Sequence, residues 1–319
     1  MSRRARFIVV AAVALAAAVG VGIGAAFLGG SDGGEGRASG VPPFVLDLGV
    51  RQDQEAQALR RAGLLFRAGQ EARGGQVLAS YDSLQARVGK SLAKWPDGSL
   101  AELEQLAREH PESGAVLFHL GLARFWSGDR DGAVAAWREA RVKDPDSVYA
   151  VRSDDLLYRR FAPGLPTFIP QFAPDPKLSR LGPSRQLAAL ERAARRPDVH
   201  AKLLYGLALQ RIERPASARR EYAAAARLAP RDPEALVADA VGRFDKANPA
   251  LAFSRLGPLA RRYPRSASVR FHLGLLLLWI GRTEDAKRQL ILASRVKRSV
   301  LAGEARRLLA RLEEVRKPQ

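Results

Sequence analysis

The chain has 319 residues, 27% of them charged and 47% hydrophobic, with a formal net charge of +19 and no cysteine. The absent thiols exclude a disulfide framework, a thiolate metal site and a cysteine nucleophile. The positive charge rests on 43 arginines against 9 lysines. They form no Lys/Arg run and no aromatic-interleaved stripe, so nucleic acid is not indicated, and a basic surface of this kind favours acidic proteins or anionic envelope polymers.

Residues 1–6 form a basic tail with Arg3, Arg4 and Arg6, followed by 22 uncharged positions from Phe7 to Leu28. As a helix that segment would be about 33 Å long, enough to cross a bilayer core. The basic flank predicts a cytoplasmic amino terminus, a single-pass anchor over 7–28 and the rest of the chain on the extracytoplasmic side. The alternative is a cleaved signal peptide and a secreted protein. Such a peptide has an apolar region of only about 7–15 residues, which favours the anchor. Residues 29–45, opening Gly29-Gly30-Ser31-Asp32-Gly33-Gly34, are expected to be a flexible Gly/Ser-rich linker reaching roughly 20–25 Å.

Beyond it the sequence repeats itself. Phe118-His119-Leu120-Gly121-Leu122 recurs unchanged as Phe271-His272-Leu273-Gly274-Leu275. At the same shift Leu106, Pro111, Trp126, Gly128, Ala133 and Ala140 return as Leu259, Pro264, Trp279, Gly281, Ala286 and Ala293. A finer beat lies inside it, with Ala218, Ala252 and Ala286 spaced by 34 residues, as are Tyr222, Leu256 and Leu290. A period of that length, with small residues at fixed places, marks a stacked helix–turn–helix array. The pattern resembles the tetratricopeptide repeat family, in its membrane-anchored bacterial type. Unit 114–147 carries Leu117, Leu120-Gly121, Gly128, Ala133, Trp137, Ala140 and Pro145 at the family's signature positions. Unit 199–232 follows with Tyr205-Gly206, Ala218, Tyr222, Ala225 and Pro230. Gly121 and Ala133 allow two helices to approach closely, and Trp137 fills the space beside them. The implied fold is all-α, a right-handed superhelical array of hairpins preceded by one transmembrane helix. Its blocks are expected at 46–147 and 183–300, with a capping helix and tail over 301–319.

The interval 148–182 interrupts the beat and is expected to be a connecting strap. Four prolines between Phe161 and Pro174 forbid a helix there and favour extended chain. Phe161, Phe168, Ile169 and Phe172 are too apolar for a solvated linker and must dock, on this chain or on a partner.

No nucleophile-elbow, zinc-protease, phosphate-loop or dinucleotide motif occurs, so neither enzyme nor cofactor chemistry is expected. Asp129-Arg130-Asp131-Gly132 lacks the later ligands of a calcium loop and reads as a turn. His119 and His272 are repeat-related and are expected to play one structural role twice. The resemblance places partners along the face of each repeat's first helix. That face carries Phe118, Leu122, Phe125 and Trp126, then His200, Leu207, Gln210 and Arg211, then Phe271, Leu275, Leu278 and Trp279. Such an apolar groove suits an amphipathic or aromatic peptide, unless it is core or is covered by the strap. The leading expectation is a scaffold organising a protein complex at the cell envelope. Two alternatives are an accessory factor like the membrane-anchored repeat subunits of cytochrome c maturation, which present apoprotein, and a binder of anionic envelope polymer.

Overall fold

The computed structural model describes residues 40–314; the expected anchor over 7–28 lies outside them. Among the described residues are fifteen α-helices, one short 3-10 turn and no strand. None of these helices is long and apolar enough to cross a membrane. They form two units that divide after Leu157.

In the first unit, α1 (Gln54–Arg67) pairs with α2 (Glu71–Val77), and α3 (Leu84–Leu92) is followed by α4 (Ser99–Glu109). The third hairpin joins α5 (Gly114–Trp126) to α6 (Arg130–Lys143), and α7 (Val148–Leu157) packs on both. The second unit opens with α8 (Pro183–Ala194). Its hairpins are α9 (Val199–Arg211) with α10 (Pro215–Leu228), α11 (Pro233–Gly242) with α12 (Ala250–Arg262), and α13 (Ala267–Trp279) with α14 (Thr283–Ser294). Helix α15 (Val300–Glu314) packs on the last pair as α7 does in the first unit.

The helices start where short polar side chains can cap them. Asp53, Ser83, Ser113, Asp129, Asp198, Asp232 and Ser266 each accept a hydrogen bond from a main-chain N–H in the first turn that follows. A cap of this type is worth about 1 kcal/mol. The turn inside a hairpin needs one left-handed residue, supplied by Gly128 at φ 93° and by its repeat partner Gly281 at φ 78°. In the α9–α10 turn the non-glycine Glu213 adopts that region, at φ 56°.

Within a hairpin, a small residue on the first helix faces a large one sixteen positions later. A Cβ on Gly121 would lie 2.4 Å from Trp137 Nε1, one on Gly206 2.5 Å from Tyr222, and one on Gly274 2.9 Å from Leu290. Trp137 uses the close approach to donate its indole N–H to the Phe118 carbonyl at 3.2 Å. Ala240 and Leu256, also sixteen apart, are both fully buried.

Two segments differ from expectation. Residues 148–157, expected within the strap, are helical, because no proline falls between Pro145 and Pro163 and Ser147 Oγ accepts from the Ala150 N–H at 3.2 Å. Residues 40–45, expected in the flexible linker, lie against the first unit, with Pro42 and Phe44 buried.

Gly121→Val overpacks the Trp137 contact and is expected to lower stability by about 1–3 kcal/mol in denaturant unfolding. Gly303→Ala, at an α15 position with open space around it, is expected to raise stability by about 0.5–1 kcal/mol in the same assay.

Candidate functional site: two grooves, each holding an extended segment

The first helices of successive hairpins line up as a face, and in each unit an extended stretch of the chain itself lies across it. In the first unit this is residues 40–48. Successive side chains of an extended chain point to opposite sides, and Pro42 and Phe44 are accordingly the buried pair. The Phe44 ring packs 5.0 Å from that of Phe66 on α1 and 5.9 Å from His119 on α5. Gly89 on α3 makes the room, since a Cβ there would meet Phe44 at 2.8 Å. Val45 packs on the cluster that contains Phe118, Leu122 and Trp126.

An extended segment on an apolar face has main-chain groups that must still be paired. Buried His119 supplies one acceptor. Its Nδ1–H donates to the Ala115 carbonyl at 2.6 Å, which leaves Nε2 free to accept the Val45 N–H at 3.0 Å. Gln85, in the first turn of α3, takes the next inward-facing amide: Asp47 N–H donates to its Oε1 at 3.1 Å, and its Nε2 donates back to the Asp47 carbonyl at 2.8 Å. The Asp47 carboxylate accepts the Val148 N–H at 3.2 Å, capping the start of α7, where a helix N-terminus favours negative charge.

The second unit repeats the arrangement with residues 161–172. Phe168 is fully buried, with its ring 5.2 Å from His272 and 5.5 Å from Tyr222. His272 Nδ1–H donates to the Ser268 carbonyl at 2.7 Å, and Nε2 accepts the Ile169 N–H at 2.9 Å. The Gln171 N–H donates to Glu234, which occupies the same first-turn position of α11 that Gln85 occupies in α3. Burial raises the Glu234 carboxyl above its ordinary range. The Gln171 side chain accepts from Ser299 Oγ at 2.9 Å, just ahead of α15.

Further bonds belong to this unit. Gln210 accepts the Phe168 N–H at 3.1 Å, donates to the Pro166 carbonyl at 3.3 Å, and takes the Tyr222 hydroxyl at 2.8 Å. Trp279 Nε1–H donates to the Gly164 carbonyl at 3.3 Å while its own carbonyl accepts the Ala162 N–H at 3.1 Å.

The structure thus brings most of the expected groove residues beneath the chain's own extended segments. Phe118, Leu122, Trp126, Leu207, Phe271, Leu275 and Trp279 are buried, and Phe125 and Leu278 are half-buried. His200 lies with its ring 4.4 Å from Phe172, while Arg211 is exposed. Phe161 is half-buried and carries the Arg160 guanidinium 4.7 Å above its ring.

Residues 115–147 match the tetratricopeptide repeat family model. The match covers the α5–α6 hairpin, which carries Phe118, His119 and Trp126, and it supports reading the chain as a tetratricopeptide repeat protein. No curated protein matches the chain. Tetratricopeptide repeats in general mediate protein–protein interaction and are typically non-catalytic.

The first extended segment, with Gln85, Glu234 and Asp47, escapes a reading based on helical periods, although a signal exists. Gly40-Val41-Pro42-Pro43-Phe44-Val45-Leu46-Asp47 echoes Gly164-Leu165-Pro166-Thr167-Phe168-Ile169-Pro170-Gln171. The two glycines share a left-handed φ, 77° and 73°. This echo has a shift of 124 residues and not 153, because α8 and the turn before it separate the second segment from its first hairpin. A search at the helical shift therefore misses it.

Burial pulls both His119 and His272 from the ordinary value of 6.5 down to about 4. The unfolded chain consequently binds more protons between those values, so the contribution of the two histidines to stability is full above about pH 6.5 and is lost as pH drops toward about 4. The loss approaches roughly 3 kcal/mol per histidine. Melting curves across that window should show a shallower pH slope for H119Q/H272Q than for the wild type. Equal slopes would contradict the assigned neutral histidines. Phe168→Ala is expected to cost roughly 3–5 kcal/mol in denaturant unfolding.

Proposed function

We propose that the chain is a membrane-tethered scaffold, without catalytic activity of its own, that holds a protein partner in a complex at the cell envelope. The observation that supports this most directly is that each groove grips an extended polypeptide through its main-chain N–H groups while burying alternate side chains. That combination is how sheet edges recognise extended peptides: main-chain bonds give affinity and pockets for alternate side chains give selectivity. The family likeness of the α5–α6 hairpin supports the same reading.

In this proposal residues 1–6 remain cytoplasmic, 7–28 span the membrane and the repeat units lie outside. The uncharged stretch and the arginines that precede it support that topology. Protease added to intact spheroplasts is expected to digest the chain beyond residue 45, and full protection would overturn the topology. Photo-crosslinkers at the half-buried groove positions Phe125 and Leu278 are expected to capture a recurring protein from the native membrane. Position Val142, exposed on α6, serves as the control. Loss of specific crosslinks at every groove position would count against the scaffold reading.

A further inference from the structure

We propose that the extended segment 40–48 is an exchangeable occupant of the first groove. The natural competitor is a partner protein presenting an extended segment of the form Val/Leu-Pro-x-Phe-Val/Ile-x-Asp/Gln. The inference rests on the scaffold reading and specifies the partner's chemistry.

Three observations carry it. The first is duplication. Two segments with little in common outside Gly-[Val/Leu]-Pro-x-Phe-[Val/Ile] are received by equivalent acceptors, His119 and Gln85 in one unit and His272 and Glu234 in the other. The groove therefore reads a short extended pattern: a buried Pro, a buried Phe two residues on, and an amide placed for the histidine. Two equivalent grooves that each take this pattern from the chain by main-chain bonds and pockets have no physical means of refusing it from another chain, provided the partner's segment outcompetes the tethered one.

The second is the difference in how the two segments are held. Segment 161–172 lies between α7 and α8 and is anchored by Gln210 and by both the indole and the carbonyl of Trp279. Among the described residues, segment 40–48 is continuous with the repeats on its carboxyl side alone, where α1 follows. Its departure interrupts no helix and removes one helix cap, the Asp47 carboxylate at the start of α7.

The third is a buried donor left over in the first groove. Trp126 stands where Trp279 stands in the repeat. It is 8% exposed, and its Nε1–H has no hydrogen-bond partner among the described residues. Trp279 gives that proton to the Gly164 carbonyl, whereas Gly40, the corresponding residue of the first segment, does not receive one from Trp126. An unpaired buried donor disfavours the state that leaves it unpaired. A partner segment whose carbonyl reaches Trp126 recovers that deficit. This gives it an advantage to set against the high effective concentration, in the millimolar range, of the tethered segment.

The test uses the full-length chain and a fluorescein-labelled nonapeptide with the sequence of residues 40–48. F44A/V45P removes the buried ring and the latching N–H of the tethered segment and leaves the groove intact. It is expected to bind the peptide at least tenfold more tightly than the wild type in fluorescence anisotropy, with no binding of a scrambled peptide. Adding His119→Leu to that variant is expected to abolish binding. A folded F44A/V45P protein that ignores the peptide, or takes the scrambled one equally, would overturn the inference. Hydrogen exchange on the unaltered protein provides an independent reading if the variant folds poorly. Excess peptide should accelerate exchange at Val45 and Asp47 while leaving Ile169 and Gln171 protected, and unchanged rates at Val45 and Asp47 would refute exchange. Wild-type dimers whose 40–48 segments crosslink into the opposite copy would reassign the groove to a second copy of this chain and retire the partner assignment. Peptide failure alongside crosslinked partners at Phe125 or Leu278 would remove this inference and leave the scaffold reading standing.

Discussion

A buried imidazole that accepts a main-chain N–H is the interaction on which both units turn. Laying an extended peptide on an apolar face satisfies its side chains and strands its amides, and every stranded amide opposes docking. A histidine in the second turn of α5 or α13 resolves this only if its tautomer is fixed. Donating Nδ1–H to the carbonyl four residues back fixes it, in both units and at nearly the same distance. The repeat-related aromatic neighbours Phe118 and Phe271 stand edge-on to the two imidazoles and keep them dry, which is why burial holds both rings neutral.

The remainder of each groove follows from where those two acceptors sit. Once the amide of Val45 or Ile169 is fixed, the period of two in an extended chain places Phe44 or Phe168 inward on one side and the amide of Asp47 or Gln171 on the other. That second amide falls on the first turn of the preceding hairpin, at Gln85 or Glu234, and the side chain of the same residue reaches the start of the closing helix, α7 or α15. One extended segment thereby ties three hairpin elements and a cap together. The docked peptide is part of each unit's core as well as its ligand. In the proposed scaffold the groove is already shaped for peptide, and release of that peptide would expose apolar surface for a partner to cover.

Much of this was legible beforehand and some was not. The hairpins followed from the spacing of 34 and from Gly121 facing Trp137, a contact any sequence with that small–large pairing must make. The docking of Phe168 followed from its being too apolar to leave in water beside four prolines. The docking of Phe44 did not follow, because the glycine-rich run ahead of it dominates the local composition and the echo of residues 164–171 stands at a different shift from the helices. Helix α7 was obscured by Pro145, which closes one helix and does not forbid the next.

The sequence by itself determined the helical repeat, its caps and turns, and the equivalence of the two histidines, since these depend on residues close together along the chain. Only the tertiary structure decided what the grooves hold. Whether an apolar stripe of Phe118, Leu122 and Trp126 is core, partner surface or a seat for residues 40–48 depends on amides more than seventy positions away finding their acceptors, as Val45 finds His119. Helical periodicity is the same in all three cases, so it carries no information about which segment completes the face.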